Sequence, residues 1–370
     1  MVNYKKFFII SLIISLISAL AIIVLTTDAD TIESLKTIRP EYIVLAIAFQ
    51  IISYVLTAKK TKFLLRSLGY RIRTRYALEN ILTGILLASL TPASIGGEPV
   101  RILLLRKNAK VPVGKATAVI FMERFLDVFF ILICLIPSMF ILRLFFKRET
   151  GAGIWGIDTL LYAGTAGIII LLAVLIYVII NPEFVKKLVR KILIFLERKS
   201  SEKYKPKIQK AILVSENEID LFRSSFKRFI SVGRFNLITA VFYTTLYWII
   251  RFSILWLILL GLNIHPDLSL LFATQVVLAI IMIIPATPGA SGISEIAALT
   301  LYSLFVPASL IGVVVIAWRA ITYYLNIVAG AFASLRMIRK YGINAFSISN
   351  DKKEEEQNLP PENNQISKSE

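Results

Sequence analysis

Residues 81–101 read ILTGILLASLTPASIGGEPVR, and the reading of this stretch decides the fold. The apolar part, 81–90, can enter a bilayer but is shorter than the roughly 17 residues a helix needs to cross one. It then meets Thr91, Pro92, Gly96, Gly97, Glu98, Pro99 and Arg101, residues that break a helix or carry charge. Backbone that breaks at membrane depth must have its free polar groups satisfied by protein or by cavity water. A second stretch, PATPGASGISE at 285–295, ends the apolar run 268–285 in the same way, with Thr287, Pro288, Gly289, Gly292 and Glu295.

The rest of the chain sets these two stretches in a membrane. Of 370 residues, 56% are hydrophobic and 18% charged, and the mean hydropathy is +0.73. These values predict an all-α polytopic membrane protein. The formal net charge of +18 is read as basic residues held at the cytoplasmic face beside anionic lipid. No nucleic-acid motif accompanies it. Cys134 is the single cysteine and His265 the single histidine. An intrachain disulfide, a cysteine metal site and the familiar histidine-based hydrolase centres are thereby excluded.

Apolar runs long enough to cross fall at about 7–25, 42–58, 115–142, 160–180, 236–260 and 308–332. The first is too long for the apolar core of a signal peptide and is read as a retained span. Segment 26–41 holds the acids Asp28, Asp30, Glu33 and Glu41, whereas 59–77, 101–115 and 181–235 are strongly basic. Basic loops stay inside. Segment 78–100 must then enter from the cytoplasm and return to it, and segment 268–307 must do the same from outside.

The prediction is six full spans, two re-entrant hairpins of opposite sense and cytoplasmic termini in a cell-membrane protein. The alternative for the hairpins is a pair of kinked full spans. Opposed hairpins suggest an inverted-topology repeat over about 42–142 and 236–332. Thr91–Pro92 matches Thr287–Pro288, Gly96 matches Gly292, and Arg124 and Arg319 follow at nearly equal distances. Together these make one transmembrane domain, 1–345. Its basic linker, 181–235, is amphipathic and reads either as helices on the inner surface or as a cytoplasmic helical pair. Residues 346–370 read as a disordered tail.

Ionisable residues at membrane depth are costly and call for a reason. Glu98, Glu123, Arg124, Asp127, Arg251, Glu295 and Arg319 are in that position. Arg124 and Asp127 are three apart on one helix, so two readings stand. They form an internal pair, or Asp127 holds Arg124 toward a cavity where its planar fork meets an anion. Arg319 has no acid within helical reach, so Glu295 is its natural partner, and by the repeat Glu98 is that of Arg124. Helix starts after each broken tip would add N–H groups that favour phosphate or carboxylate. The candidate ligand-binding set is Glu98, Arg124, Asp127, Arg251, Glu295 and Arg319. No nucleotide, metal or nucleophile motif occurs, so neither a cofactor nor an enzymatic activity is expected.

TPASIGGEPVRILLLRK, MERFLDV at 122–128 and PATPGASGISE together resemble the transmembrane region of lysylphosphatidylglycerol synthase and the flippase-like family around it. The resemblance implies movement of a lipid between leaflets rather than aminoacyl transfer. It points to Glu98, Arg124 and Glu295 as the functional positions. The expected function is to bind and translocate an anionic or zwitterionic lipid, or a lipid-linked group. The alternatives are a secondary transporter of a small anion and a membrane assembly partner for a separate transferase. Oligomeric state and substrate identity are not legible.

Overall fold

The structure is a computed structural model that describes residues 38–91, 96–150, 181–199, 205–282 and 292–342, with part of 166–177. The expected span 7–25, most of span 160–180, the tip residues Pro92, Thr287, Pro288 and Gly289, and the tail 346–370 lie outside the described residues. Among the described residues every regular element is a helix.

In chain order the helices are α1 (Pro40–Ser67), α2 (Thr74–Leu90), α3 (Gly97–Ala109), α4 (Val113–Thr150), α5 (Pro182–Lys199) and α6 (Lys205–Ile230). Then come α7 (Arg234–Gly261), α8 (Leu268–Ile281), α9 (Ile293–Tyr302) and α10 (Ala308–Arg319). A π-helical turn (Ala320–Tyr324) leads from α10 into α11 (Leu325–Tyr341). Four helices are long and apolar enough to cross a membrane: α1, α4, α7 and the continuous α10–α11. Their outward faces are apolar and bare. Val44, Ile51, Ile133, Ile136, Phe140, Phe235, Ile238, Phe242, Val328 and Phe332 are all exposed, as lipid-facing residues are and water-facing ones are not.

α1 and α7 run antiparallel along their whole length. The Arg39 N–H donates to the Gly261 carbonyl at 2.8 Å, and Phe63 stacks on Tyr243 with centroids 5.6 Å apart. α4 packs on α8 through Ile131, Leu135, Leu142, Ala273 and Val276. α10 packs Trp318 edge-on against the fully buried Tyr302 of α9, which also packs in the core with Ile254, Leu255 and Val314. α5 and α6 form a separate amphipathic hairpin tied by Lys186 Nζ to Asp220 at 2.7 Å. It docks on the bundle through a cluster of Phe121, Phe222, Phe226 and Phe229.

α2 and α3 form the antiparallel pair that contains the opening stretch. The Tyr76 hydroxyl donates to the Leu104 carbonyl at 2.7 Å, and Asn80 Nδ2 to the Arg101 carbonyl at 3.1 Å. At the turn, Thr91 Oγ1 donates to the Leu87 carbonyl at 2.8 Å and accepts from the Gly96 N–H at 2.9 Å. It thereby satisfies backbone that the broken helix frees. The two helices touch through glycine. A Cβ on Gly97 would lie 2.6 Å from the Gly84 carbonyl oxygen and 2.9 Å from Ala88 Cβ. Gly97→Ala is therefore expected to force the pair apart and lower stability by roughly 1–3 kcal/mol. The unfolding midpoint in detergent measures this, and a wild-type midpoint would refute the close packing.

The basic segments need one correction. Lys59, Lys60, Lys62 and Arg66 belong to α1, and Arg101, Arg106 and Lys107 to α3, so much of what charge counting assigns to loops is helix. Lys60 and Arg101 are 2% and 6% exposed and cannot act as surface charges. They face inward because carboxylates wait for them there.

Candidate functional site

Four helices carry those partners. On α1, polar residues recur at 50, 53, 54, 57, 60 and 61 (Gln50, Ser53, Tyr54, Thr57, Lys60, Thr61), spacings of three and four that place them on one helix face. α3 supplies Glu98 and Arg101 in its first turns, α4 supplies Glu123, Arg124 and Asp127, and α7 supplies Tyr247 and Arg251. All of these except Thr61, with Gly84, Ala88, Gly97 and Asn326, line a cavity of about 160 Å³. It lies between the middle stretches of α1 and α7, alongside the glycine contact of α2 with α3.

Three ion pairs are built into its wall. Arg101 clamps Glu123 bidentately, at 2.8 and 3.1 Å, with both side chains almost wholly buried. Arg101 Nε also donates to Asn80 Oδ1 at 3.3 Å, and the Thr61 hydroxyl donates to Glu123. Lys60 Nζ meets Asp127 Oδ1 at 2.8 Å, and Trp248 Nε1 donates to the same oxygen at 3.2 Å. Arg124 meets Glu98 Oε1 through Nε at 3.0 Å and Nη2 at 2.5 Å. This third pair is open, with side chains 59% and 30% exposed.

Of the readings of Arg124, the pair with Asp127 is thereby corrected, and the partner named by the repeat, Glu98, is the one it meets. Asp127 is taken by Lys60 from α1, and Arg124 reaches across to α3. Residues on one helix share a face, but buried charges pair where the most solvation is recovered, here between helices.

Arg251 differs from these three cations. Its Nη1 donates to Gln50 Oε1 at 3.0 Å, a neutral partner. Gln50 Nε2 in turn donates to Asn326 Oδ1 at 3.0 Å, which also accepts from Tyr54 Oη at 2.5 Å. The cavity wall thus holds four cations, Lys60, Arg101, Arg124 and Arg251, against three carboxylates, Glu98, Glu123 and Asp127. One positive charge is left over (4 − 3 = 1), and among the described residues it is Arg251 that has no carboxylate in ion-pair contact.

Of the sequence candidates, Glu98, Arg124, Asp127 and Arg251 come together here. Glu295 and Arg319 do not line this cavity. They form a second pair at 2.8 Å, with side chains 5% and 4% exposed, and the Arg319 guanidinium lies 4.1 Å from the Tyr323 ring centre. Glu295 also accepts from the Gly292 N–H at 2.7 Å and from Ser294 Oγ at 2.8 Å, which caps α9. Gly292 has φ +87°, a conformation that glycine adopts without strain. Sequence reasoning missed Lys60, Arg101, Gln50, Tyr54 and Asn326. The polar stripe of α1 is the signal that could have found three of them, Gln50, Tyr54 and Lys60.

An all-helical bundle with lipid-facing flanks and a charged cavity at mid-helix defines a polytopic integral membrane protein built around a buried polar site. The family model of the lysylphosphatidylglycerol synthase TM region matches residues 8–330, and the chain belongs to that family. It is similar to a UPF0104 membrane protein of Archaeoglobus fulgidus, 31% identical over 319 residues, covering 86% of this chain and 93% of the relative. A UPF0104 membrane protein of Methanocaldococcus jannaschii is 28% identical over 335 residues, covering 90% and 95%. One of Methanothermobacter thermautotrophicus is 22% identical over 300 residues, covering 80% and 84%.

Proposed function

We propose that this protein binds the headgroup of an anionic or zwitterionic lipid, or a lipid-linked group, in the cavity and passes it between leaflets. The observation that carries this reading is the surplus cation. Three ion pairs neutralise one another, and among the described residues Arg251 faces the cavity with Gln50 alone to meet it. An uncompensated arginine at membrane depth is expensive unless an anion is bound for part of the cycle. Its planar fork suits a phosphate. The open Arg124–Glu98 pair supplies a cation for phosphate and a carboxylate for a headgroup amine. In this reading Glu295 and Arg319 are the structural counterpart of that pair in the other half of the protein.

The accompanying architecture is six spans, with α2–α3 and α8–α9 as re-entrant hairpins of opposite sense in an inverted repeat. Both termini are cytoplasmic, and lipid is the partner. The protein performs no bond-making chemistry of its own. Headgroup exchange tests the function directly, using proteoliposomes with labelled phosphatidylglycerol and phosphatidylethanolamine. Exchange no faster than in protein-free vesicles would sink it. Uptake of a soluble phosphate without lipid exchange would favour the small-anion transporter instead.

Orientation has its own test. In a Cys134→Ala background, Arg71→Cys is expected to label only from the cytoplasmic side and Ala308→Cys only from the opposite side. Both positions are exposed. Labelling of the two from one side would refute the opposed hairpins.

A further inference from the structure

A second basic cleft lies away from the central cavity, where the first turns of α2 meet the end of α11. Arg73, Arg75, Tyr76, Glu79, Arg336 and Lys340 line about 240 Å³. Glu79 is the one carboxylate among them. It is 6% exposed and already shared, with Arg75 Nε at 3.5 Å and Arg336 Nε at 3.1 Å. Four cations against one acid leave a charge of +3 (4 − 1 = 3). Arg73 and Lys340 have no carboxylate in ion-pair contact among the described residues.

Two further features face the same space. Arg73 is the N-cap of α2 and no side chain caps that helix, so its first N–H groups and the positive end of its dipole are open to an anion. One lining residue, Tyr76, is aromatic, and Tyr341 backs it. Tyr76 and Tyr341 meet edge to face with centroids 6.2 Å apart, and Lys340 Nζ lies 4.9 Å from the Tyr341 ring centre. The Tyr76 hydroxyl is committed to the Leu104 carbonyl, which fixes its ring. A concave group of cations beside a tyrosine ring, at the end of the membrane-spanning α11, has the chemistry of a phosphate site at the bilayer surface.

We propose that this cleft is a second, separate anion site that holds a phosphate group, independent of the translocation cavity. Generic basic loops would attract anionic lipid diffusely. Here the charges converge on a walled space around a single shared acid. Lipid phosphodiester and free phosphate offer the same chemistry, and the test separates them.

The test uses purified full-length protein in phosphatidylcholine nanodiscs carrying increasing phosphatidylglycerol, with bound lipid counted by native mass spectrometry. Arg73→Gln/Lys340→Gln leaves both Glu79 pairs in place, so the fold is not put at risk. It is expected to weaken one class of bound phosphatidylglycerol by roughly thirtyfold, at about fivefold for each charge removed. Arg251→Gln should leave that class unchanged. Arg336→Gln should weaken it as well. Inorganic phosphate competing at that class would make the occupant a soluble anion, and failure to compete would make it a lipid; the phosphate site stands in both cases. Wild-type binding by Arg73→Gln/Lys340→Gln overturns the proposal. So does an equal loss in the control Lys187→Gln/Arg190→Gln/Lys191→Gln, which removes the same kind of charge from α5.

Discussion

Arg251→Gln is expected to slow leaflet exchange of an anionic lipid by roughly 10- to 100-fold, the loss of a charged hydrogen bond to its phosphate. The fold should survive, because the one hydrogen bond at stake is that to Gln50 at 3.0 Å. The ion pairs of Lys60, Arg101 and Arg124 do not involve Arg251. Glutamine keeps a donor for Gln50 and removes only the charge. Arg251→Lys should recover part of the rate, since the charge returns without the planar fork. The measurement is exchange of labelled phosphatidylglycerol at fixed protein-to-lipid ratio, with the unfolding midpoint recorded beside it. Exchange at the wild-type rate in Arg251→Gln would remove the surplus charge from the mechanism. Equal loss in stability and exchange would make Arg251 a structural residue.

Arg101→Met is expected to be the most destabilising single change in the described residues. It leaves the Glu123 carboxylate buried beside an emptied guanidinium site, with the Thr61 hydroxyl as its remaining hydrogen-bond donor among the described residues. Breaking a buried pair from one side costs about 3–5 kcal/mol, a large share of the total stability of an ordinary fold. Two further contacts go with it, to Asn80 Oδ1 at 3.3 Å and to Thr61 Oγ1 at 3.3 Å. α3 then loses its tie to α1 through Thr61 and one of its two ion pairs with α4, the Arg124–Glu98 pair remaining. The double variant Arg101→Met/Glu123→Met removes both charges and should recover much of the loss. Unfolding in detergent measures all three proteins. A double variant no better than Arg101→Met would mean that the pair holds the helices by geometry rather than by matched charge.

The same two residues show where reading the chain stops. Arg251, Arg124 and Asp127 interrupt apolar runs, so the cost of burying a charge marks them in the sequence. Arg101 and Lys60 lie where apolar runs give way to basic ones, and composition there looks like a helix end meeting the inner surface. Helical periodicity does mark Lys60, through the stripe that begins at Gln50, but it cannot name a partner on another helix. Gln50 and Asn326 are uncharged and raise no alarm in hydropathy, yet they form the hydrogen-bonded floor beside Arg251.

The amino-acid sequence alone suffices to read this chain as a helical membrane protein. It also determined that its helices are broken at Thr91 and near Gly292, and that a few charges sit too deep to be incidental. Those conclusions follow from local properties: apolar length, glycine and proline, and the solvation of single groups. The repeat also names Glu98 for Arg124 and Glu295 for Arg319, and both pairs form. The remaining partners come from the folded structure: Asp127 meets Lys60, Glu123 meets Arg101, and Arg251 is left with an amide. Pairing of buried charges depends on distances between helices far apart in the chain, and a few ångströms there outweigh any preference written along one helix.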